Sequence, residues 1–573
     1  MSAVVSALSN LNRAFSDVYI NIFRWIAPVL AFLLLVRCIR PLLTFRREPE
    51  IWAWLNLSDG KKLPITHWEN VIGRSKRSDI VINFPTVSRN HAVLTRYDDG
   101  SWTVSDANSK DGIYVNGRKV SIMAITDEDV IGIGGIEMTL QPITAQQEAK
   151  LAELRTKASS AGTNIANICM LSLFQLLSCL AFLIGADIEQ GMSVMLGYGA
   201  ILLSQWLLLL FYICIRRTSF EVETLAFFLS SMGMAAISTV VPEEAIKQVI
   251  AMLMGIALFL LIGWSLRDLE RAKKFRYLAT AAGIGFLIIT LIFGQEYYGA
   301  KNWLIIGKFS VQPSEFSKVC FVYAGASTMD RIMNKRNLIL FIGYSAVLCG
   351  CLALMNDFGT ALIFFSAFLV VAYLRSGSVG TIGLACASVG FAGVLALKIA
   401  PHALRRFETW RHIWEVPLDG GYQQTRALMC IASGGLLGLG AGNGWMKHMF
   451  AADSDMVVAT VSEEWGLLMF AMMVLAVAAL GIFAVRSVVV GRSSFYSIGA
   501  CTAASILIVQ VILNALGTVD IVPLTGVTFP FVSNGGSSMI SAWGLLAFVK
   551  AADTRQNASF AVRLSMSGGG MDE

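Results

Sequence analysis

The chain has 573 residues, 55% of them hydrophobic and only 15% charged, with a mean hydropathy of +0.63. Soluble proteins carry about 25% charged residues, so this composition excludes a soluble globular protein and indicates an integral membrane one. The net charge of +6 fits basic cytoplasmic loops and calls for no nucleic acid, and ten cysteines without a CxxC pair beside five histidines exclude a zinc centre.

The first apolar run, Tyr19 to Val36, is long enough to span and is followed by Arg37, Arg40, Arg46 and Arg47. Positive charge on that side predicts an uncleaved anchor within residues 1–48, with its N-terminus outside and the next segment in the cytoplasm. Residues 49–143 change character. Short strand-like runs (IWAWLNL, DIVINF, HAVLTRY, SWTVSDA, GIYVNG, IEMTLQP) alternate with Gly, Asn and Asp turns, which predicts a β-sandwich. A polar helical linker covers 144–162.

Apolar runs then return. Residues 163–219 hold two spans, Asn164 to Ile184 and Met192 to Ile215. Further spans in 220–551 are Leu225 to Val241, Val249 to Trp264, Tyr277 to Phe293, Phe316 to Thr328, Leu338 to Met355 and Thr360 to Leu374. Val379 to Leu397, Trp465 to Val485, Phe495 to Leu516 and Met539 to Val549 complete the set. Residues 552–573 read as a disordered cytoplasmic tail. With the sandwich inside, Arg216–Arg217, RDLERAKKFR, DRIMNKRN, YLRSGS, VRSVVVGRSS and KAADTR all fall on the cytoplasmic side, a consistent positive-inside pattern. The same count places Gln295 to Glu315, Pro401 to Glu464 and Gly517 to Ser538 outside.

Those outer segments hold the candidate chemistry. AADSDMVVATVSEEWG carries Asp453, Asp455, Glu463 and Glu464 beside an apolar run. Acids at a membrane edge are costly to desolvate and read as functional; their structural reading is acids at a helix start, where negative charge suits the dipole. Asp453 itself reads as solvated loop. Pro401 to Trp445 combines Arg405, Arg406, Arg411 and Arg426 with the glycine-rich SGGLLGLGAGNG, and PLTGVTFPFVSNGGSS mixes Pro, Gly and hydroxyls. Irregular backbone at membrane depth packs on protein or lines a cavity, and arginines beside acids in such a cavity suit a lipid-linked phosphate; tight helix packing is the structural alternative.

Five motifs, GAKNWLIIGKFSVQPSEFSK (Gly299 to Lys318), NDFGTA (Asn356 to Ala361), GYQQTRALMCIASGGLLGLGAGNG (Gly421 to Gly444), DMVVATVSEEWG (Asp455 to Gly466) and NALG…PLTGVTFPFVSNGGSS (Asn514 to Ser538), occur in order. In this the region from about Phe220 to Ala551 resembles the SEDS family of RodA, FtsW and SpoVE. The resemblance implies a polytopic α-helical membrane protein, a ten-helix core plus about three extra N-terminal spans. It also implies a peptidoglycan glycosyltransferase that polymerises lipid II with a class B penicillin-binding protein in the bacterial plasma membrane. Asp455 falls on the family's catalytic Asp. The chemistry agrees: a desolvated carboxylate can deprotonate an acceptor hydroxyl, and inversion at the anomeric carbon needs one base and stabilisation of the departing diphosphate. Arg405, Arg406, Arg411 or a divalent cation (Mg or Mn) would supply the stabilisation, and no other cofactor is implied. Glu315 and Lys318 match QPSE-x-x-K at i, i+3, where they can face the cavity or pair structurally. Glu463 and Glu464 would hold the loop, tune Asp455 or simply start the helix; Asp357 and Ser537 match supporting positions. The chain departs from the family at Met355 and Asn356 (usually Gln-Pro), at Arg426 and Ala427 (usually Gln-Ser), and at Asn534 (commonly Tyr).

The sandwich resembles a forkhead-associated (FHA) domain through GRSKRSDIVI (Gly73 to Ile82), VSRNHA (Val87 to Ala92) and SKDGIYVNG (Ser109 to Gly117). The resemblance implies binding of a threonine-phosphorylated cytoplasmic protein, with Arg74 and Ser88 on the phosphate and Arg89 adding charge. His91 reads as structural. Asp111 stands where the family has Asn, and a carboxylate accepts but cannot donate. A lipid II transporter would need charges along a route through the bilayer, and few occur there; a silent scaffold would not need Asp455 with its Glu-Glu partner. The reading is an enzyme.

Overall fold

The computed structural model describes residues 2–44, 49–76, 78–97, 100–154, 157–184, 188–297, 299–307, 309–327, 335–376, 379–399, 401–491 and 493–561. Arg46, Arg47, the DD of the DDG turn, the start of the DRIMNKRN connection, Arg492, residues 562–573 and the side chain of Arg405 lie outside the described part.

Eleven strands make the predicted sandwich: β1 (Ala53–Leu57), β2 (Lys62–Ile65), β3 (Glu69–Gly73), β4 (Ile80–Val81), β5 (Ala92–Arg96), β6 (Trp102–Asp106), β7 (Ile113–Val115), β8 (Arg118–Val120), β9 (Ile122–Ile125), β10 (Val130–Ile133) and β11 (Ile136–Pro142). They form two sheets, ordered β2-β1-β11-β10-β7-β8 and β4-β3-β5-β6-β9. Leu55, Ile72, Leu94, Val104, Ile113 and Ile131 are buried between the sheets, and along β1, β6 and β10 the residues that flank them are more exposed, as alternation requires.

The helices are α1 (Ser2–Leu43), α2 (Ala145–Leu154), α3 (Ala161–Leu183), α4 (Ile188–Cys214), α5 (Glu221–Val240), α6 (Ala245–Leu266), α7 (Leu269–Phe293), α8 (Pro313–Ser327), α9 (Lys335–Leu354), α10 (Phe358–Ser376), α11 (Val379–Ile399), α12 (Pro401–Thr409), α13 (Tyr422–Gly434), α14 (Val457–Val490), α15 (Ser494–Thr518) and α16 (Gly536–Ala551). Every apolar run expected to span coincides with a helix, and among the described residues eight are long and apolar enough to cross a bilayer. α5 is buried on nearly all sides at the centre of the bundle, packed against α3, α4, α14 and α1, whereas α7 turns most of its surface outward. The extra N-terminal helices thus wrap one side of the core.

Two features add to the expectation based on sequence and one overturns it. The segment Gln295 to Glu315 has secondary structure of its own. It folds into a small sheet of β12 (Gln295–Tyr297), β13 (Ala300–Ile306) and β14 (Phe309–Val311) before α8 begins. The long segment from Pro401 contains α12 and α13, which short polar stretches hid from a search for apolar runs. Residues 552–561, expected to belong to a disordered tail, pack on the bundle. Phe560 stacks edge-on against Phe259 and Tyr212, with ring centroids 5.4 and 5.6 Å away.

The sandwich docks on one end of the bundle. Glu69 at the start of β3 accepts from Ser493 Oγ (2.8 Å) and from the Ser494 N–H (3.0 Å), so it caps the first turn of α15. His67 lies 3.0 Å from the Gly491 carbonyl, and Leu269 packs against the sandwich core. The carboxylate loop before α14 lies at the opposite, distal end.

Candidate functional site

The site begins with a broken helix. α14 starts at Val457, earlier than the apolar run suggests, and kinks at Gly466 (φ 83°, ψ 166°). Glu463 and Glu464 therefore sit inside the helix and not at its start, which corrects the helix-start reading. The kink frees backbone groups that would be costly unpaired in a membrane. The glycine-rich run satisfies them on both sides: Leu439 and Gly440 N–H donate to the Glu463 and Glu464 carbonyls (2.8 and 2.9 Å), and Leu467 and Leu468 N–H donate to Gly435 and Leu436 (3.0 and 3.2 Å). A Cβ on Gly466 would run into the Leu436 carbonyl oxygen, so only glycine allows this approach.

The two glutamates complete that attachment with their side chains. Glu463 accepts from the Met446 N–H (2.8 Å); Glu464 accepts from the Gly442 and Gly444 N–H (both 3.1 Å) and from Thr239 of α5 (2.7 Å). Both are buried, so backbone donors replace the water they lose. They hold the loop and make no direct contact with Asp455.

Asp455 lies in the turn just before α14. Each neighbouring carbonyl is tied down: Ala452 by Thr460 Oγ1 (2.7 Å), Asp453 by the Asn534 N–H (2.8 Å), Ser454 by Ser533 Oγ (2.7 Å) and Asp455 by Asn514 Nδ2 (3.0 Å). Asn514 also binds the Val527 carbonyl, which links α15 to the last outer motif. Gly526 (φ 68°) lets that motif approach closely, its missing Cβ standing 3.3 Å from Asp455 Oδ2. The turn is fixed through its backbone, while no hydrogen bond among the described residues ends on the carboxylate oxygens. Burial pushes the Asp455 pKa up to about 6; the Arg406 guanidinium opposes that, and the charges of Asp453 and Asp357 add to it. Asp453 is not solvated loop as expected. Burial raises its pKa too, against the hydrogen bond from Asn534 Nδ2 at 2.7 Å.

Around it the other expected residues divide into two groups. Asp357 bears on Asp455 and caps α10, its Oδ1 accepting from the Thr360 N–H (3.0 Å). Its Oδ2 faces Asn302 Nδ2 and Gln312 Nε2 at 3.4 and 3.5 Å. Asn356 adopts φ 58°, a left-handed position that asparagine tolerates, and it binds the Gly299 carbonyl. Ser537 accepts from the Gln312 N–H (3.0 Å), joining the start of α16 to the segment before α8. Arg406 on α12 reaches the Leu524 carbonyl at 3.4 Å and is the cation whose field acts on Asp455. Arg411 contributes mainly backbone: its N–H binds Asp520 (3.0 Å), and its guanidinium lies over Trp410 at 5.0 Å. Glu315 and Lys318 do not open onto the site. They form a closed, buried ion pair at 2.6 Å, with Ser541 of α16 donating to the second Glu315 oxygen at 2.6 Å. The sequence reading passed over Asn302, Gln312, Asn514 and Ser533; polar residues inside the outer motifs were the available signal.

No three Asp, Glu, His or Cys side chains converge as a metal-ligand set among the described residues. Within the described residues, the cation that acts on Asp455 is Arg406.

At the far end of the sandwich, Arg74 follows β3 and is exposed, and its N–H binds the Ser88 carbonyl (2.9 Å). That bond brings the two expected phosphate contacts side by side. Ser88 Oγ accepts from the Lys110 N–H (3.1 Å), which draws the loop of Lys110 and Asp111 to the same place. His91 is fully buried: Nδ1 accepts from the Ser88 N–H and Nε2 reaches the Gly112 carbonyl, both 3.0 Å, so it stitches the two loops together. Arg89 and Asp111 are both exposed at this rim.

A multi-pass membrane bundle with a desolvated acid beside an arginine at one end, and a separate β-sandwich at the other, is the class that these features define. The family model described as cell cycle protein, covering FtsW, RodA and SpoVE, matches residues 210–558, and an FHA-domain model matches residues 70–134. The peptidoglycan glycosyltransferase RodA of Mycobacterium tuberculosis is 29% identical over 325 residues, 53% of this chain and 69% of its own length. A chain of a solved peptidoglycan synthase complex, described as coordinating polymerization and crosslinking, is 23% identical over 58% of this chain and 96% of its own, with a TM-score of 0.49. An FHA domain solved for its phosphothreonine-dependent interactions is 28% identical over 16% of this chain and 98% of its own, with a TM-score of 0.16. The chain belongs to the FtsW, RodA and SpoVE family, joined to an FHA domain, and is by class a glycosyltransferase.

Proposed function

We propose that the protein polymerises lipid II into glycan strands at the outer face of the cytoplasmic membrane, with Asp455 as general base. The carrying observation is Asp455 itself: it is desolvated, its backbone is fixed by Asn514, Ser533, Asn534 and Thr460, and its pKa of about 6 leaves it ionised near neutral pH but basic enough to take a proton. Asp455 would accept the proton of the acceptor sugar hydroxyl as its oxygen attacks the anomeric carbon of the donor. The anomeric carbon–oxygen bond to the polyprenyl diphosphate breaks with inversion, and the electron pair leaves on the diphosphate. Arg406 and the amides of Asn302 and Gln312 line the same end of the bundle and can donate to the developing negative charge.

The distribution of Lys and Arg supports the orientation, with sandwich and C-terminal segment inside and the Asp455 end outside. The RodA relative is a peptidoglycan glycosyltransferase, and membership of its family supports the same activity here, with a class B penicillin-binding protein as partner. The exposed Arg74 guanidinium and the Ser88 hydroxyl, whose oxygen is oriented by the Lys110 N–H, form a donor pair for a phosphothreonine, through which a phosphorylated cytoplasmic protein would act on the enzyme.

The test is lipid II polymerisation by the purified full chain, alone and with a cognate transpeptidase, comparing wild type with Asp455→Ala. Strands from wild type and none from a folded variant are expected. Strands from both would remove Asp455 from its role. No strands from either, beside an active control polymerase, would favour lipid II transport or a scaffold.

A further inference from the structure

Asn534 sits where three segments of the distal end meet. Its side-chain amide donates one hydrogen to Glu244 Oε2 (2.8 Å) and the other to Asp453 Oδ2 (2.7 Å), and its backbone N–H donates to the Asp453 carbonyl (2.8 Å). Glu244, in the turn between α5 and α6, is held in turn by Lys247 at 2.8 Å. One neutral amide thus separates two carboxylates that would otherwise repel. A side chain with a single O–H, such as tyrosine, could satisfy only one of them. The next residue back, Ser533, binds the Ser454 carbonyl and receives Gln248 Nε2 on its own carbonyl at 3.1 Å. The turn carrying Asp455 is therefore fastened to α6 through residues 533 and 534, independently of its attachment to α15 through Asn514.

We propose that Asn534 is a positioning residue of the polymerisation site: its bridge from Glu244 to Asp453 fixes the turn Ala451–Met456 and so the place of the Asp455 carboxylate. The inference rests on the reading of Asp455 as base. It assigns a role to Asp453 and Glu244 that the family motif does not carry, because the bridge needs two amide hydrogens and two acceptors.

The experiment is lipid II polymerisation by the full chain with Asn534→Asp, with the reciprocal exchange Glu244→Gln/Asp453→Asn/Asn534→Asp, and with Asp455→Asn as a control. Asn534→Asp places three carboxylates together, and displacing a catalytic group by about 1 Å costs on the order of a hundredfold in rate. The expected result is a loss of about that size in kcat with KM for lipid II unchanged. The exchange should recover most of it, because the amides introduced at positions 244 and 453 both donate to the carboxylate introduced at position 534 and so rebuild the bridge with its polarity reversed. A merely structural position would change thermal stability or KM without such reciprocal recovery. Wild-type kcat in Asn534→Asp, or no recovery in an exchange variant that melts like wild type, overturns the proposal. Should Asn534→Asp fail to fold, Asn534→Ala decides: a fall in kcat of about tenfold at constant KM supports the bridge, and wild-type kcat overturns it. If Asp455→Asn is as active as wild type, the reading of the base has failed; if it is inactive while Asn534→Asp is active, only this inference has.

Discussion

Two buried charge clusters lie at opposite ends of the bundle, and they are built on different rules. At the sandwich end, Lys550 binds Glu223 (3.1 Å) and the Ser219 carbonyl (2.8 Å), while Arg555 binds Glu221 (3.2 Å) and Asp553 (2.7 Å). Each of these three acids meets a cation directly. Arg555 and its neighbours hold the Asp553 carboxyl below its usual range although burial alone would raise it. At the distal end it is neutral donors, an amide, backbone N–H groups and the Thr239 hydroxyl, that hold Asp453, Glu463 and Glu464. Asp455 is left with Arg406 as an opposing field and is pushed up to about 6. Paired charge fastens α5, α16 and the segment after it; charge without a close cation keeps a proton acceptor reactive.

Substitutions should separate the two rules. Asp455→Asn keeps the shape and removes the base, so polymerisation should fall by about 10²–10⁴-fold while the protein remains folded. The same change should stabilise the protein. Folding raises the Asp455 pKa from 3.8 to about 6, so whatever stability its proton confers is present below pH about 4 and lost as pH rises through 6. Its ionised form therefore costs the fold on the order of 1–2 kcal/mol at pH 8 after allowing for partial exposure, and thermal melts of both forms at pH 5 and 8 would show the difference. At the other end, Lys550→Met leaves Glu223 buried without its cation and should cost about 3–5 kcal/mol of stability, read by the same melts. A stable Lys550→Met protein would show that this pairing is dispensable.

The Arg74→Ala change tests the exposed site on the sandwich. Binding of a phosphothreonine peptide should weaken by about tenfold or more, measured by calorimetry, since a charged hydrogen bond is lost. The pH–rate profile comes next. Polymerisation should fall about tenfold per pH unit below about 6, and Arg406→Ala should move that limb to higher pH by removing the opposing charge. Arg411→Ala should do least, within about threefold, because its bond to Asp520 comes from the backbone and survives the change.

Much of this was legible in the chain. Apolar runs located the spans because a bilayer demands length and hydrophobicity from each helix separately. Alternation and turn residues located the sandwich, and the Arg74–Ser88 pair proved to be neighbours. The kink in α14 was not legible. The apolar run begins at Trp465, whereas the helix begins at Val457 and is broken at Gly466 only because a glycine-rich segment from elsewhere supplies its missing hydrogen bonds. The same blindness placed Glu463 and Glu464 at a helix start and treated Asp453 as solvated. The packing of Phe560 on Phe259 and Tyr212 was hidden for a related reason: a short polar segment shows no period that betrays its partners.

By itself, then, the sequence determined what each segment must be: membrane-buried helix, alternating strand or glycine-rich turn, and which side chains could carry a proton or bind a phosphate. Those are properties of local composition and spacing. Only the tertiary structure decided that Glu315 closes on Lys318, that the turn carrying Asp455 is held by Asn514, Ser533 and Asn534, and that Glu69 of the sandwich caps α15. The reason is physical. Desolvation, pairing and hydrogen-bond direction belong to contacts between segments far apart in the chain, and a carboxylate becomes a base, a cap or half of an ion pair according to what is packed against it.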